Sequence, residues 1–278
     1  MARAAARPLL CAAFLTHAAS AFSQDTGPVH AAPYIPSPPS TVDEMLRLAE
    51  VSASDLVFDL GAGDGRVVIA AARKFGARGV GVEIDTALVE RGRANALKAG
   101  VAERVRFLQQ DLFKTELGEA TVIALYLSPN MNLRLRPVLL GLKPGTRIVS
   151  HSADLGDWRP DRRTAIRKDV LLWVVPARIE GRWRGQFGVP PRAIEISFSQ
   201  RYQEISASAR LASAPAQVWD ARLESDRLRF VIVADLDKDD EASLYFEGRV
   251  TPSVIEGAVA RGIGTARTTS RWRAERMP

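Results

Sequence analysis

The sequence predicts an α/β fold with a doubly wound, mostly parallel sheet, followed by a small antiparallel β module. Between residues 56 and 176, short apolar runs alternate with segments of helical period, the pattern of βαβ units. From residue 177 onward the helical period is lost. Apolar and polar residues alternate there instead, as around Ile194 and Ile196, which is typical of strands with one buried face. We therefore expect one domain over residues 41–176 and a second over 177–278.

The first domain should contain six strands. The predicted strands are 56–60, 79–84, 105–108, 121–127, 146–150 and 171–175. The predicted helices between them are 66–74, 86–100 and 133–142. A further helix should start at Thr41, whose spacing to Glu44 is that of a capping box, and Thr86 is the expected cap of the helix that ends at Gly100.

The second domain should be a meander, a sandwich or a partial barrel. Its core is expected to hold Trp183, Trp219 and Trp272. The acidic run 235–241 resembles a calcium loop, but the sixth and twelfth positions are Asp240 and Phe246 rather than Gly and Glu. We interpret that run as a solvated hairpin.

The first 23 residues resemble a secretory signal peptide. Arg3 and Arg7 precede a short apolar run, and Ala21 and Ser23 supply the small residues of a cleavage site. The apolar run is too short to span a bilayer, so no stable membrane span is predicted. We expect export to the periplasm, with a cytoplasmic location as the alternative. Residues 24–40 are rich in proline and should form an extended linker.

The composition excludes several kinds of chemistry. The single cysteine, Cys11, lies in the leader, and His151 is the one histidine beyond residue 40. Neither a thiol nucleophile nor a metal centre is therefore expected in the folded part. The net charge is +6, with arginines spread along the whole chain rather than clustered, so nucleic-acid binding is not predicted.

A glycine-rich stretch points to a nucleoside ligand. Gly61, Gly63 and Gly65 lie where the first strand turns into the first helix, and Asp59 precedes them. Glycine permits a tight turn and close approach of a ligand, and the helix start offers free N–H groups. A dinucleotide fingerprint would need a third glycine where the chain has Arg66. An NAD-linked oxidoreductase is therefore disfavoured.

Two carboxylates follow at the ends of the next two strands. Glu83 ends the second strand and could accept hydrogen bonds from both ribose hydroxyls, although this feature fits NAD as well. Asp111 follows the third strand. The carboxyl ends of parallel strands share one edge of the sheet, so both carboxylates should flank the same ligand.

The arrangement D-L-G-A-G-D-G at residues 59–65 resembles motif I of the Rossmann-like class I S-adenosylmethionine-dependent methyltransferases. PYIPSP at 33–38, LYLSP at 125–129 and LKPGTRIVSH at 142–151 are similar to a narrower group. That group contains mitochondrial enzymes that methylate lysines on the adenine nucleotide translocase and on the ATP synthase c subunit, with bacterial relatives. The resemblance covers roughly residues 33–176.

The resemblance implies S-adenosylmethionine as cofactor and a protein lysine as acceptor. It also implies that Asp111 meets the adenine amino group and that Tyr34 and Pro36 fold over the cofactor as a lid. Methyl transfer is an in-line displacement that needs a lone pair about 3 Å from the methyl carbon. Candidates for positioning the amine follow the fourth strand: Tyr126, Ser128 and Asn130.

His151 and Asp154 follow the fifth strand and are further candidates for lining the acceptor pocket. Two other functions stay open. One is a small-molecule methyltransferase on the same fold. The other is a non-catalytic exported binding protein, because S-adenosylmethionine is made in the cytosol and an exported enzyme would need its donor supplied. The oligomeric state is not predicted.

Overall fold

The computed structural model describes residues 35–164, 170–212, 214–237, 240–262 and 268–278. The expected leader, most of the proline-rich linker and Tyr34 lie outside these ranges.

Among the described residues up to 174, the chain forms four helices, a single 3-10 turn and seven strands. They are α1 (Pro39–Leu48), β1 (Leu56–Leu60), α2 (Arg66–Phe75), β2 (Arg78–Glu83), α3 (Thr86–Lys98), β3 (Val105–Gln109), the 3-10 turn (Leu112–Lys114), β4 (Val122–Leu125), α4 (Pro129–Leu139), β5 (Arg147–His151), β6 (Arg162–Arg163) and β7 (Val170–Val174).

The seven strands form one sheet in the order β3-β2-β1-β4-β5-β7-β6. Strands β1 to β5 are parallel, whereas β7 runs antiparallel to β5 and β6 runs antiparallel to β7. All residues of β1 and β4 are buried, as expected for strands covered on both faces. The strand order reverses between β1 and β4, and a ligand of such a sheet binds beside the carboxyl ends of those strands. The predicted α/β class is confirmed.

Two predicted helix caps are wrong. Helix α1 begins at Pro39, not Thr41, and has no side-chain cap. Proline at the first helical position needs no N–H partner and already has a helical φ, while Thr41 is buried and packs inside the domain. Helix α3 is capped by Asp85 rather than Thr86, because the Asp85 carboxylate accepts from the N–H groups of Ala87 at 2.7 Å and Leu88 at 3.2 Å.

The described residues from 181 onward form eight antiparallel strands. They are β8 (Gly181–Phe187), β9 (Arg192–Arg201), β10 (Glu204–Leu211), β11 (Ala214–Glu224), β12 (Arg227–Asp237), β13 (Asp240–Val250), β14 (Val254–Arg261) and β15 (Thr268–Arg276). They follow one another around a closed barrel, in which β15 pairs with β8. The sequence is compatible with a meander, a sandwich or a partial barrel, and the structure shows a fully closed barrel.

Aromatic side chains fill the interior of the barrel. Phe230 and Phe246 stack with ring centroids 4.7 Å apart, and Trp272 meets Phe246 edge-on at 5.2 Å. Trp183 and Trp272 are buried as predicted, but Trp219 is 52% exposed on the outer face of β11, so its assignment to the core is wrong. Alternation along the strand would have put Trp219 outside, since its neighbour Val218 packs against the core.

The barrel is attached to the edge of the sheet opposite the strand carboxyl ends. The Ala177 N–H donates to the Ser225 carbonyl at 2.8 Å, just after β7 has returned to the start of β5. Residues 235–237 end β12 and residues 240–241 begin β13, and these strands pair antiparallel as the hairpin interpretation predicted; residues 238 and 239 lie outside the described ranges. None of the helices in the described ranges is long and apolar enough to cross a membrane.

Candidate active site

The glycine loop connects the carboxyl end of β1 to the start of α2. Gly61, Gly63 and Gly65 have φ angles of +82°, +53° and +80°, a region in which residues with a Cβ are strained. The N–H groups of Gly61 and Ala62 both donate to the Val82 carbonyl at 2.9 Å, which holds the loop on the neighbouring strand β2.

Gly65 has a second reason to lack a side chain. A Cβ at this position would lie 2.4 Å from the ring of Phe107 in β3. The same ring would collide with a Cβ on Gly81 or Gly92. The Phe107 ring therefore packs directly against the backbone of three glycines. This packing brings α2, α3 and the glycine loop close to the sheet.

Glu83 ends β2 and is bound to the backbone around it. Its Oε2 accepts from the Gly63 N–H at 2.9 Å, and its Oε1 accepts from the N–H groups of Ile84 at 2.8 Å and Asp85 at 3.1 Å. A carboxylate has about four acceptor sites, so capacity remains for a ligand hydroxyl. The contact with Gly63 places the carboxylate directly beside the glycine loop, where the ribose role predicted for it requires it to be.

Asp111 follows β3 and starts the 3-10 turn, where its Oδ1 accepts from the Phe113 N–H at 2.9 Å. Gln109, two residues earlier, pairs with Glu83 in the ladder between β2 and β3. Asp111 and Glu83 therefore lie on the same edge of the sheet, at the ends of adjacent strands. The half-buried Asp111 carboxylate keeps its second oxygen for an amino group, as an adenine ring would offer.

Asp59 lies in β1 directly before the loop and is 5% exposed. Burial, followed by the negative charges of Glu83 and Asp64, raises the pKa of Asp59 to about 7, and Arg66 opposes this rise. Three carboxylates thus surround one loop. A cationic ligand would relieve their mutual repulsion, and S-adenosylmethionine carries positive charge on its sulfonium and its amino group.

Tyr126 directly follows β4, at the carboxyl edge of the sheet, where the methyl acceptor is expected to bind. Its ring is 38% exposed and stacks on the ring of His151, with centroids 4.2 Å apart and an interplanar angle of 29°. The residues just before them, Leu125 and Ser150, are paired between β4 and β5. The two rings therefore form one wall at the carboxyl edge, and Tyr126 remains accessible to solvent.

Ser128 and Asn130 belong to helix α4, which begins four residues earlier than predicted. Pro129 occupies its first turn and Ser128 is its N-cap, accepting from the Met131 N–H at 3.4 Å. This cap uses one of the two acceptor sites of the Ser128 hydroxyl. Asn130 is exposed in the first turn. The roles in amine positioning proposed for both stay predictions.

Asn132, which no local sequence pattern indicated, is fully buried on α4. Its amide Nδ2 donates to the carbonyls of Ala153 at 3.1 Å and Asp154 at 3.2 Å, and so holds the segment after β5 against the helix. Asn132 Oδ1 has no partner within the described residues. The Asp154 side chain is exposed and accepts from the Gly156 N–H at 3.0 Å, so it stabilises a turn. Only helical periodicity, set by the correct start of α4, could have found Asn132.

A second residue was missed in the proline-rich segment. Ser37 is 4% exposed, and its Oγ lies 3.0 Å from His151 Nδ1. Its carbonyl accepts from Arg66 Nη1 at 2.7 Å. Residues 35–38, which we call the strap, therefore lie across the carboxyl edge of the sheet from α2 to β5. Pro36 in the strap is exposed, and Tyr34 lies outside the described residues.

The residues present fit S-adenosylmethionine. Three left-handed glycines, a backbone-bound Glu83 and Asp111 at the next strand end meet where the strand order reverses. Within the described ranges no group of His, Cys, Asp or Glu could hold a metal ion. The fold and the site together define a class I S-adenosylmethionine-dependent methyltransferase.

Comparison with known proteins supports the assignment to the methyltransferases. The family model of the ANTKMT methyltransferase domain matches residues 59–162. The protein-lysine N-methyltransferase of Saccharolobus islandicus is 43% identical over 130 residues, which are 46% of this chain and 81% of that protein. The adenine nucleotide translocase lysine N-methyltransferase of Mus musculus is 31% identical over 169 residues, 60% of this chain and 72% of that protein. The chain therefore belongs to this methyltransferase family.

A solved structure is also similar. It is described as an RNA methyltransferase from Salinibacter ruber in complex with S-adenosylhomocysteine, is 52% identical, and has a TM-score of 0.51. The match covers 52% of this chain and 96% of that one. The predicted class of enzyme, its fold and its cofactor are thus confirmed. The family model ends before the barrel begins at Gly181.

Proposed function

We propose that this methyltransferase transfers methyl groups to the side-chain amine of protein lysine residues. The observation that carries the proposal is the 43% identity to a protein-lysine N-methyltransferase across most of that enzyme's length. The exposure of Tyr126 supports it, because it places an accessible aromatic side chain at the same edge of the sheet as Glu83 and Asp111. A narrow lysine side chain reaching in from another protein would fit such an open edge.

When bound, S-adenosylmethionine supplies a methyl group on a positively charged sulfur, which a neutral amine takes through its lone pair. The glycine loop, Glu83 and Asp111 would hold the nucleoside at the edge of the sheet. Tyr126 and His151 would form the wall along which the amine approaches. Orientation of this kind is the main contribution that a protein makes to a displacement at a methyl carbon.

The amine must lose its proton before it reacts. A free lysine has a pKa of about 10.4, so deprotonation near pH 7.4 costs roughly 4 kcal/mol. Packing of the bound lysine side chain against Tyr126 and His151 would displace water from the amine and lower this cost, because burial disfavours the charged ammonium. The proton released from the nitrogen passes to solvent at the open edge.

The test is transfer of a radiolabelled methyl group from S-adenosylmethionine to an extract separated into protein, RNA and small molecules. Label in protein, recovered as methyllysine after hydrolysis, is the expected result. Label recovered in RNA would overturn the lysine assignment in favour of the activity named for the Salinibacter ruber protein. Label confined to small molecules would favour a small-molecule methyltransferase. A reaction without the protein gives the background, and Glu83→Ala protein should incorporate less label because its cofactor binding is weakened.

We further propose that residues 1–23 direct export, on the composition of that segment alone. Fusion of the full chain to alkaline phosphatase, which is active only outside the cytoplasm, would test the location. An active fusion is expected. An inactive fusion with the leader still attached would instead support the cytoplasmic alternative, where the donor is made.

A further inference from the structure

The strap joins the two halves of the site through a single residue. On one side, the Ser37 carbonyl accepts from Arg66, and Arg66 Nη2 pairs with Asp64 of the glycine loop at 2.8 Å. On the other side, the Ser37 hydroxyl meets His151, on which Tyr126 stacks. A continuous chain of contacts therefore runs from the cofactor loop to the acceptor wall.

We infer that Ser37 is a positioning residue for methyl transfer, which sets the orientation of Tyr126 through His151 and links it to the glycine loop through Arg66. This inference rests on the proposed acceptor side of the site. It assigns to the strap a role beyond the lid that the sequence resemblance implies. The backbone carbonyl of Ser37 binds Arg66, and the side-chain hydroxyl of Ser37 contacts His151.

The geometry favours this assignment over simple packing. Ser37 is buried, so water does not readily replace either of its contacts. An imidazole ring turns easily about its second side-chain torsion, which is broad, so a stacked partner stays oriented only if a ring nitrogen is held. The bond from Ser37 to Nδ1 holds it, and the ring of Tyr126 follows the ring of His151.

The side-chain contact can be removed while the backbone contact is kept. Ser37→Ala deletes the hydroxyl and keeps the carbonyl, so the arm to Arg66 survives. Ser37→Thr keeps both the hydroxyl and the carbonyl and should retain function. Ser40→Ala, which removes an exposed hydroxyl in the first turn of α1, is the matched control.

The first measurement is the initial rate of methyl incorporation into a fixed protein extract, together with the dissociation constant of S-adenosylhomocysteine. Ser37→Ala should lower the rate about five- to tenfold, the cost of one buried hydrogen bond, and change the dissociation constant less than twofold. Ser37→Thr and Ser40→Ala should stay within twofold of wild type in both. Equal loss of rate and of cofactor affinity in Ser37→Ala would overturn the inference, since it would indicate a general loss of structure.

The second measurement needs no acceptor. The chain has three histidines, so the ring carbons of histidine labelled with ¹³C give few signals, and His151→Asn identifies the one that matters. Adding S-adenosylhomocysteine should shift the His151 signal in wild type, and Ser37→Ala should reduce that shift. An unchanged shift in a variant that still binds the ligand would refute the link while the methyltransferase assignment stands. Failure of the ligand to bind the wild-type protein would instead remove the proposed function itself.

Discussion

The indole of Trp158 stacks on the ring of Tyr202, with centroids 5.8 Å apart and an interplanar angle of 20°, and its Nε1 donates to Gln203 at 2.9 Å. Trp158 belongs to the segment after β5, and Tyr202 to the turn between β9 and β10 of the barrel. Next to them, hydrogen bonds from Arg201 and Tyr202, and the charge of Arg136, hold the pKa of Asp157 at about 2. This contact attaches the barrel to the segment that follows β5.

Loss of the Tyr202 ring should destabilise the protein without affecting the site. We expect Tyr202→Ala to lower the free energy of unfolding by about 1–3 kcal/mol, because it removes a half-buried aromatic contact. The affinity for S-adenosylhomocysteine should be unchanged. Thermal unfolding and calorimetry measure the two quantities.

Trp219→Ala is the matched control for this change. It removes an aromatic ring that is 52% exposed on the barrel, and its effect should stay within about 0.5 kcal/mol. A large fall in cofactor affinity in Tyr202→Ala would show that the barrel supports the site after all.

The raised pKa of Asp59 makes stability depend on pH. Because its pKa is about 7 in the folded chain and near 3.8 in the unfolded chain, the folded state binds more protons between these values. Stability should therefore fall as the pH rises from about 4 to 7, by up to roughly 4 kcal/mol from this residue. Urea unfolding of wild type and Asp59→Asn across that range is the measurement.

The decisive quantity is the difference in the free energy of unfolding between wild type and Asp59→Asn at each pH. Asp59→Asn should gain stability relative to wild type as the pH rises, because its side chain never ionises. Parallel stability curves for the two proteins would contradict the raised pKa.

Removal of either strand-end carboxylate should weaken cofactor binding. Glu83→Gln keeps the size of the side chain but removes the negative charge of the carboxylate, whose oxygens accept hydrogen bonds from the N–H groups of Gly63 and Ile84. Asp111→Asn likewise loses its charge beside the 3-10 turn. We expect each change to raise the dissociation constant of S-adenosylhomocysteine about tenfold, which corresponds to about 1.4 kcal/mol.

Glu90→Gln is the control for this pair, since Glu90 is an exposed residue of α3 that forms an ion pair with Arg93. Its dissociation constant should match that of wild type. If Glu83→Gln and Asp111→Asn bind the ligand as tightly as Glu90→Gln does, the nucleoside lies elsewhere.

Gly65→Ala should be far more damaging than its backbone strain alone explains. The φ of +80° costs about 1–2 kcal/mol for a residue with a Cβ. The clash with Phe107 at 2.4 Å adds about 1–3 kcal/mol of overpacking. Chemical unfolding should show both contributions.

Two further variants separate these contributions. Gly100→Ala has a φ of +70° and nothing within 4 Å of the new Cβ, so it should show the strain alone. Phe107→Leu combined with Gly65→Ala should recover part of the loss, since the smaller side chain makes room. Equal effects of Gly65→Ala and Gly100→Ala would mean that the ring of Phe107 simply moves aside.

Local patterns predicted the strands well because each strand of a covered sheet is a short apolar run. Leu56–Leu60 and Val170–Val174 could be recognised this way, each to within a residue. The direction of β7 could not, since an apolar run looks the same in a parallel or an antiparallel neighbour. Helix starts were less certain for a similar reason: Thr86 and Asp85 are both acceptable caps, and only the fold selects one.

The amino-acid sequence by itself determined the glycine loop, the carboxylates beside it and the change from helical to alternating period at the second domain. These depend on residues close together in the chain, where local geometry restricts the choice. Tertiary structure alone decided that Ser37 meets His151 across 114 positions, that Asn132 rather than Asn130 faces inward, and that β15 closes on β8. Such contacts depend on how separate elements pack, and periodicity contains no information about which distant partner an element meets.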